Sequence, residues 1–489
     1  MKNIIKKLGY GIADIYGGGA FLIINLLYMN YAIHNLELLG VNAVEAGALV
    51  GIVILIGKVW DAITDPIMGA ISDRTHSRCG KRRIYLLVGA PLVLISYILM
   101  WHSFGITSVS GLVAYYIFAY ILFSTVITIV MVPYNSMLPE MVKDYSERTS
   151  YTAVRMIFSV VAAAIAGLIP GMIVGGGPHN NPKWTENNFL LIGIIFGALF
   201  SVCILLCFFG TKGSVEQQSS NKEKFGNPFK GFVSVFANKA FRRYIPIHIF
   251  GQGMTDFLTG LIVCFLAVYN RRESYTAVMA TMLITQVLSM IVMPKLAKKM
   301  GKTAPTFVGF GILTIALLFV LFVNSSTPTY VFLLIAFFGG LGSAASSLVP
   351  YSILPDMSDV DELITTKRRE GTYSGVATFS RKLVNGITLF IISLLTGAVG
   401  YSTTTEVFSE SVQWGIKLMF VGGPIVMMAL TMVFAKLYRL NNEKHNIIMQ
   451  EIEYRRENDG KSIADKGTIA ICEEITGKKF EELWDEKNG

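Results

Sequence analysis

Two aspartates embedded in apolar sequence carry the most pointed chemistry in this chain. They stand in Trp60-Asp61-Ala62-Ile63-Thr64-Asp65-Pro66. An ionisable residue inside a membrane-spanning helix costs at least ~2.5–3.5 kcal/mol on insertion scales, so each one needs a reason. Spacing by four places both carboxylates on one helical face, about one turn apart. Side by side they repel, and a proton or a small cation between them relieves that repulsion. Hard oxygen ligands suit sodium. Thr64 on the same helix and Thr128 from the fourth apolar segment would add neutral oxygens. Asp61, Asp65, Thr64 and Thr128 are thus the candidate cation ligands, with Asp61 and Asp65 as the metal-holding acids. The competing structural reading has one aspartate paired with a base such as Lys58, merely latching helices.

Other polar residues fall inside apolar segments and need partners too. Arg155 and Lys382 are the main basic candidates, either to neutralise Asp61 or Asp65 or to donate hydrogen bonds to a substrate. Asp14 and Asp256 sit at related places in the two halves of the chain and would accept from substrate hydroxyls, with Gln252 and Asn25 nearby. Tyr134, Tyr10 and Trp60 stand out among many aromatics only because they adjoin these polar positions. Gly17-Gly18-Gly19 fits close helix packing better than phosphate binding, since no strand precedes it. Cys203 and Cys207, one turn apart in an apolar helix, read as packing residues. The sequence has no nucleotide-binding P-loop, zinc motif or nucleophile elbow, so an enzyme and an organic cofactor are not expected. An ion gradient is the expected energy source.

The elements that hold these residues follow from composition. The 489 residues are 53% hydrophobic and 15% charged, against about 25% charged in soluble domains. Apolar runs long enough to cross roughly 30 Å of hydrocarbon recur about twelve times. They lie near 11–34, 43–71, 84–103, 111–138, 152–175, 189–209, 244–269, 275–296, 305–323, 329–354, 373–399 and 413–437. The net charge of +9 does not indicate nucleic acid, because basic residues cluster in alternate loops. Examples are Arg74 to Arg83, Lys212 to Arg243, Lys295 to Lys302 and Lys367 to Arg369, with Arg271-Arg272 an exception. By the positive-inside rule both termini are expected in the cytoplasm, which requires an even number of spans. The first apolar stretch is too long for a signal-peptide core and reads as a retained helix.

Val132-Pro133-Tyr134 followed by Leu138-Pro139-Glu140-Met141 resembles Val349-Pro350-Tyr351 followed by Leu354-Pro355-Asp356-Met357. Gly80-Lys81 recurs as Gly301-Lys302. Both matches map one span onto the span six later. The expectation is an all-α membrane protein of twelve transmembrane helices in two pseudo-symmetric six-helix halves, with a site between them near mid-membrane. Residues 1–210 would form the first half, 211–240 a cytoplasmic linker, 241–439 the second half and 440–489 a cytoplasmic tail. Within the tail, Glu451 to Glu457 and Glu473 to Glu486 read as short surface helices.

Lys58 to Gly69, then Asp73-Arg74-Thr75 and Arg78-Cys79-Gly80-Lys81-Arg82, closely resemble the signature of the glycoside–pentoside–hexuronide:cation symporters, the family of the melibiose permease. Tyr10 to Asp14, Val132 to Tyr134, Arg369 to Gly371 and Ser380 to Lys382 extend the resemblance. It implies the major facilitator fold, cation binding at Asp61 and Asp65 with Thr128, and a link between cation and sugar through Arg155 and Lys382. Thr64 stands where the familiar member has asparagine, which leaves sodium, lithium and proton open. Two sugar-gripping acids of that member read Gly18 and Met131 here, and a nearby tryptophan reads Asn135. Asp14 would take over one contact. Together with the polar residues read above, the candidate substrate site is Asp14, Asn135, Tyr134, Arg155, Lys382, Asp256 and Gln252. Rocking of the two halves would also use a cytoplasmic latch of Asp73, Arg74, Arg78, Lys81 and Glu140, with a counterpart at Lys302 and Asp356.

The resulting expectation is sodium- or proton-coupled symport of a sugar, glycoside or uronide by alternating access in the cell (inner) membrane. Loss of two acids beside retained Arg155 and Lys382 favours an acidic sugar or a larger oligosaccharide. The partners expected are that small molecule and the lipid bilayer. Two alternatives are a symporter of a non-sugar amphiphile such as a lysolipid, and a non-transporting membrane sensor.

Overall fold

Helix starts are marked by short polar side chains. Asn42 Oδ1 accepts from the Glu45 amide at 3.0 Å, and Asn238, Ser409, Asn441 and Asp465 cap later helices in the same way. Between these caps the apolar runs are helical throughout, since hydrocarbon offers no other partner for backbone groups. The computed structural model describes residues 2–75, 77, 79–142, 145–175, 183–212, 233–367, 369–405 and 407–485.

The first span is broken. It comprises α1 (Lys2–Gly11), α2 (Asp14–Ile23), a π-helical turn at Ile24–Tyr28 and α3 (Met29–Leu38). The rest of the first half is α4 (Ala43–Arg74), α5 (Arg83–Met100), α6 (Val109–Met141), α7 (Tyr145–Val174) and α8 (Glu186–Gly210). The second half is α9 (Lys239–Val268), α10 (Tyr275–Met300), α11 (Ala304–Val320), α12 (Thr329–Thr365), α13 (Glu370–Ala398) and α14 (Glu410–Leu437). Among the described residues eleven spans are long and apolar enough to cross a membrane. The twelfth, α11, has 17 residues, or about 26 Å of helix, at the lower limit for a span. The chain is an all-α, multi-pass membrane protein.

Within the first half α2 packs on α7, α5 on α8 and α4 on α6; within the second α9 packs on α14, and α10 and α11 on α12. The halves meet chiefly through α4 against α13 and α7 against α10. Glycine lets the α4–α13 crossing close. A Cβ at Gly47 would strike the Ser393 carbonyl and lie 3.3 Å from Gly397 Cα.

The bonds between halves are concentrated at the end away from the termini. Ser393 Oγ donates to the Gly47 carbonyl at 2.7 Å, the Thr403 amide to Glu37 Oε2 at 2.7 Å, and Tyr401 OH to Asn30 Oδ1 at 3.3 Å. One further tie, described below, lies at mid-height. Toward the terminus-bearing end, Asn135 on α6 and Tyr351 on α12 are exposed although both lie inside spans. The hydrogen bonds named here therefore hold the halves together at the end away from the termini.

The tail folds back onto the second half. Helices α15 (Asn442–Glu457) and α16 (Lys466–Thr476) place Ile448, Ile452, Cys472 and Ile475 in one cluster with Val360, Leu363 and Ile364 of α12. The Trp484 amide donates to the Leu363 carbonyl at 2.9 Å, and His445 Nε2 lies 2.9 Å from Asp359 Oδ2. The helix expected over 473–486 instead starts at Lys466 and stops at Thr476, because Gly477 at φ +76° closes it.

Candidate functional site

Asp61 and Asp65 converge on one point between the halves. Thr128 Oγ1 on α6 lies 3.0 Å from Asp61 Oδ1 and 2.8 Å from Asp65 Oδ1. Lys382 Nζ, from α13 of the other half, stands 3.1 Å from Asp61 Oδ2 and 2.5 Å from Asp65 Oδ2. Asp61 is fully buried, and that ammonium is the countercharge at its Oδ2. Pro66 follows directly and removes the helical bond to the Ala62 carbonyl, loosening α4 at this level. Thr64 is turned away: its hydroxyl donates back to the Trp60 carbonyl at 3.0 Å and lies 3.2 Å from that of Asp61.

Lys58 does not latch Asp61. Although 3% exposed, its ammonium sits 3.7 Å from the Phe21 ring centroid, a cation–π contact across α2 and α4.

A second cluster lies wholly within the first half. Arg155 Nε on α7 donates to Asp14 Oδ1 on α2 at 2.8 Å, and its guanidinium carbon lies 5.1 Å over the Tyr134 ring. Tyr134 stacks on Tyr10 at 4.8 Å between centroids and donates its hydroxyl to the Tyr10 carbonyl at 3.0 Å. An acid at Gly18, where the family resemblance places one, would have to push the Ser159 hydroxyl aside. A Cβ at that position would come within 2.9 Å of Ser159 Oγ, because α2 and α7 approach closely. Met131 packs over Gly17 beside Asp14 and keeps that wall apolar.

In the second half Asp256 on α9 is held by both terminal nitrogens of Arg381 on α13, at 2.6 and 2.7 Å. Gln252, one turn earlier, donates to the Ser346 carbonyl at 3.0 Å and so ties α9 to α12. Asn135 is exposed. At the terminus-bearing end Lys302 Nζ bonds both oxygens of Asp356 at 2.7 Å. Arg78 lies outside the described residues, as do the side chains of Asp73, Arg74 and Glu140; Lys81 lies in the described loop after α4.

Arg381 escaped the sequence reading as a site residue, and Lys58, weighed there as the partner of an aspartate, faces an aromatic ring instead. Arg381 was legible as a second base within the eleventh span, next to Lys382. Lys58 was visible as a charge one turn before Asp61, but nothing local reveals that its partner is an aromatic ring.

The geometry agrees with the matches to known proteins. A model of the family described as MFS/sugar transport protein matches residues 15–442. The chain is 25% identical to the Sodium-dependent lysophosphatidylcholine symporter 1 of Gallus gallus, an alignment covering 86% of this chain and 85% of that one. It is 26% identical to the symporter YjmB of Bacillus subtilis (strain 168), over 93% of this chain and 96% of the relative. Among solved structures it resembles the D-xylose-proton symporter (TM-score 0.59, 13% identity, covering 87% of this chain and 96% of that one). It resembles the nucleoside transporter NupG to the same degree (TM-score 0.59, 13% identity, covering 88% and 98%). The chain therefore belongs to the MFS/sugar transport protein family, within the major facilitator superfamily of membrane transporters.

Proposed function

We propose that this protein is a sodium-coupled symporter of an acidic sugar, such as a uronide, working by alternating access in the cell membrane with both termini in the cytoplasm. One observation carries the reading: the Lys382 ammonium bridges Asp61 and Asp65 across the two halves. A sodium ion held by Asp61, Asp65 and Thr128 would compete with that ammonium. Freed, Lys382 would leave a charge in a low-dielectric layer at a cost of several kcal/mol unless an anion meets it. A substrate carboxylate offers that partner beside Arg155, so sodium creates the site the substrate fills. By linkage, substrate must raise sodium affinity by the same factor. The bridge spans α4 and α13, so its replacement bears directly on how the halves rock. The family resemblance to glycoside–pentoside–hexuronide:cation symporters supports the sugar.

Proteoliposomes with an imposed sodium gradient would be given labelled glycosides and their uronide counterparts. Uronide accumulation that collapses without sodium is the expected result. Accumulation of neutral glycosides with no inhibition by uronides would sink the acidic version. A second reading, a sodium-coupled lysolipid symporter, is favoured by the lysophosphatidylcholine relatives. Displacement of bound uronide by lysophosphatidylcholine, with lysolipid uptake, would favour it instead.

A further inference from the structure

The internal duplication reaches the polar layer. Asp14, Tyr134 and Arg155 lie on the first, fourth and fifth spans. Asp256, Tyr351 and Arg381 lie on the seventh, tenth and eleventh, each six spans later. Tyr134 and Tyr351 occupy the same place in the repeated Val-Pro-Tyr element. Each aspartate is almost fully buried and holds its arginine at 2.8 Å or less, while the arginine side chains stay 24% and 23% exposed. Tyr134 lies under the Arg155 guanidinium, and Tyr351 meets the ring of His248, on the Asp256 helix, edge-on at 5.7 Å between centroids. The cation site has no such twin, since α10 contains no acidic residue. Each arginine thus keeps part of its side chain uncovered beside a buried carboxylate.

We propose that Asp256, Arg381 and Tyr351 form the second jaw of the substrate clamp, gripping the transported sugar from the face opposite Asp14, Arg155 and Tyr134. This deepens the symporter reading and rests on its central site. Arginine has five N–H donors, and two of Arg381's are committed to Asp256. The remaining donors beside a carboxylate acceptor match vicinal hydroxyls or a sugar carboxylate. The Tyr351 ring, 60% exposed, offers an apolar face to the C–H side of a pyranose.

The test uses the full chain in proteoliposomes, with 4-nitrophenyl β-D-glucuronide and its glucoside as probes of sodium-driven uptake. Asp256→Asn with Arg381→Gln removes the pair without leaving a lone buried charge, and Asp14→Asn with Arg155→Gln is the matched variant. Each double variant is expected to raise KM about tenfold to hundredfold, the loss of charged hydrogen bonds. Sodium protection against thermal unfolding, measured without sugar, should persist in both. A KM unchanged within the Asp256/Arg381 variant, with only lowered thermal stability, would mean a mere fastener and overturn the clamp. Should that double variant fail to fold, Tyr351→Ala decides. A raised KM supports the jaw, and an unchanged KM overturns it. Wild-type uptake of neither probe would overturn the sugar reading and the clamp together, whereas normal wild-type uptake with unaltered variants overturns the clamp alone.

Discussion

Lys382 supplies the countercharge that Asp61 and Asp65 need, from 317 residues after Asp65. Removing one member of a buried charged set leaves the others uncompensated, at ~3–5 kcal/mol. Asp61→Asn is therefore expected to abolish sodium-driven accumulation; normal accumulation by this variant under an imposed sodium gradient would refute the assignment. Thr128→Val keeps the shape but removes an oxygen shared by both carboxylates, and its expected effect is milder. Apparent sodium affinity should fall about tenfold, the worth of one such contact, read from the sodium dependence of uptake. Thr64→Val should leave sodium affinity nearly unchanged, because that hydroxyl serves its own helix. At this scale the aspartate pair was legible, since spacing by four is local information. Its partner was not: Lys58, Arg155 and Lys382 were all admissible until the fold placed one of them there. The roles of Asp14 and Asp256 were half legible, as buried acids whose arginines the sequence could not match to them.

At the level of elements, hydropathy located the spans because length and apolarity suffice to define them. It missed the break and π-turn in the first span, and it ended the tenth span at 354 although α12 continues to Thr365. The extension is polar and buried by the tail, a context that no window of local hydropathy contains. The α4–α13 crossing also depends on contact invisible in sequence. Gly47→Val would wedge a side chain against Ser393 and Gly397 and oppose closure of that end. A cysteine placed at Tyr351 should then react more slowly with a membrane-impermeant maleimide applied from the terminus-bearing side. An unchanged rate would show that the crossing tolerates the wedge.

For the molecule as a whole, the tail is part of the second half rather than an appendage. Truncation after Leu440 would uncover Val360, Leu363 and Ile364 and strip His445 and Arg456 from Asp359 and Glu362. Burial of each large aliphatic side chain is worth ~1.5–3 kcal/mol. The truncated protein is expected to unfold several degrees lower in detergent, about the shift such losses produce, while sodium-dependent protection remains. An equal melting temperature would mean that the tail rests on α12 without supporting it.

The duplicated clamp beside an unduplicated carboxylate pair has an electrical consequence. One sodium ion travelling with one monoanion moves no net charge, so membrane voltage cannot pull the uronide in. A tenfold sodium gradient alone, worth about 1.4 kcal/mol, would cap its accumulation near tenfold. A neutral sugar riding the same ion would also draw about 2.3 kcal/mol from each 100 mV, lifting its ceiling to roughly 500-fold. A potassium diffusion potential set with valinomycin should therefore speed entry of 4-nitrophenyl glucoside and leave the glucuronide indifferent. Equal acceleration of both would mean more than one positive charge accompanies the acid. Voltage, on this arrangement, reads the charge of the cargo.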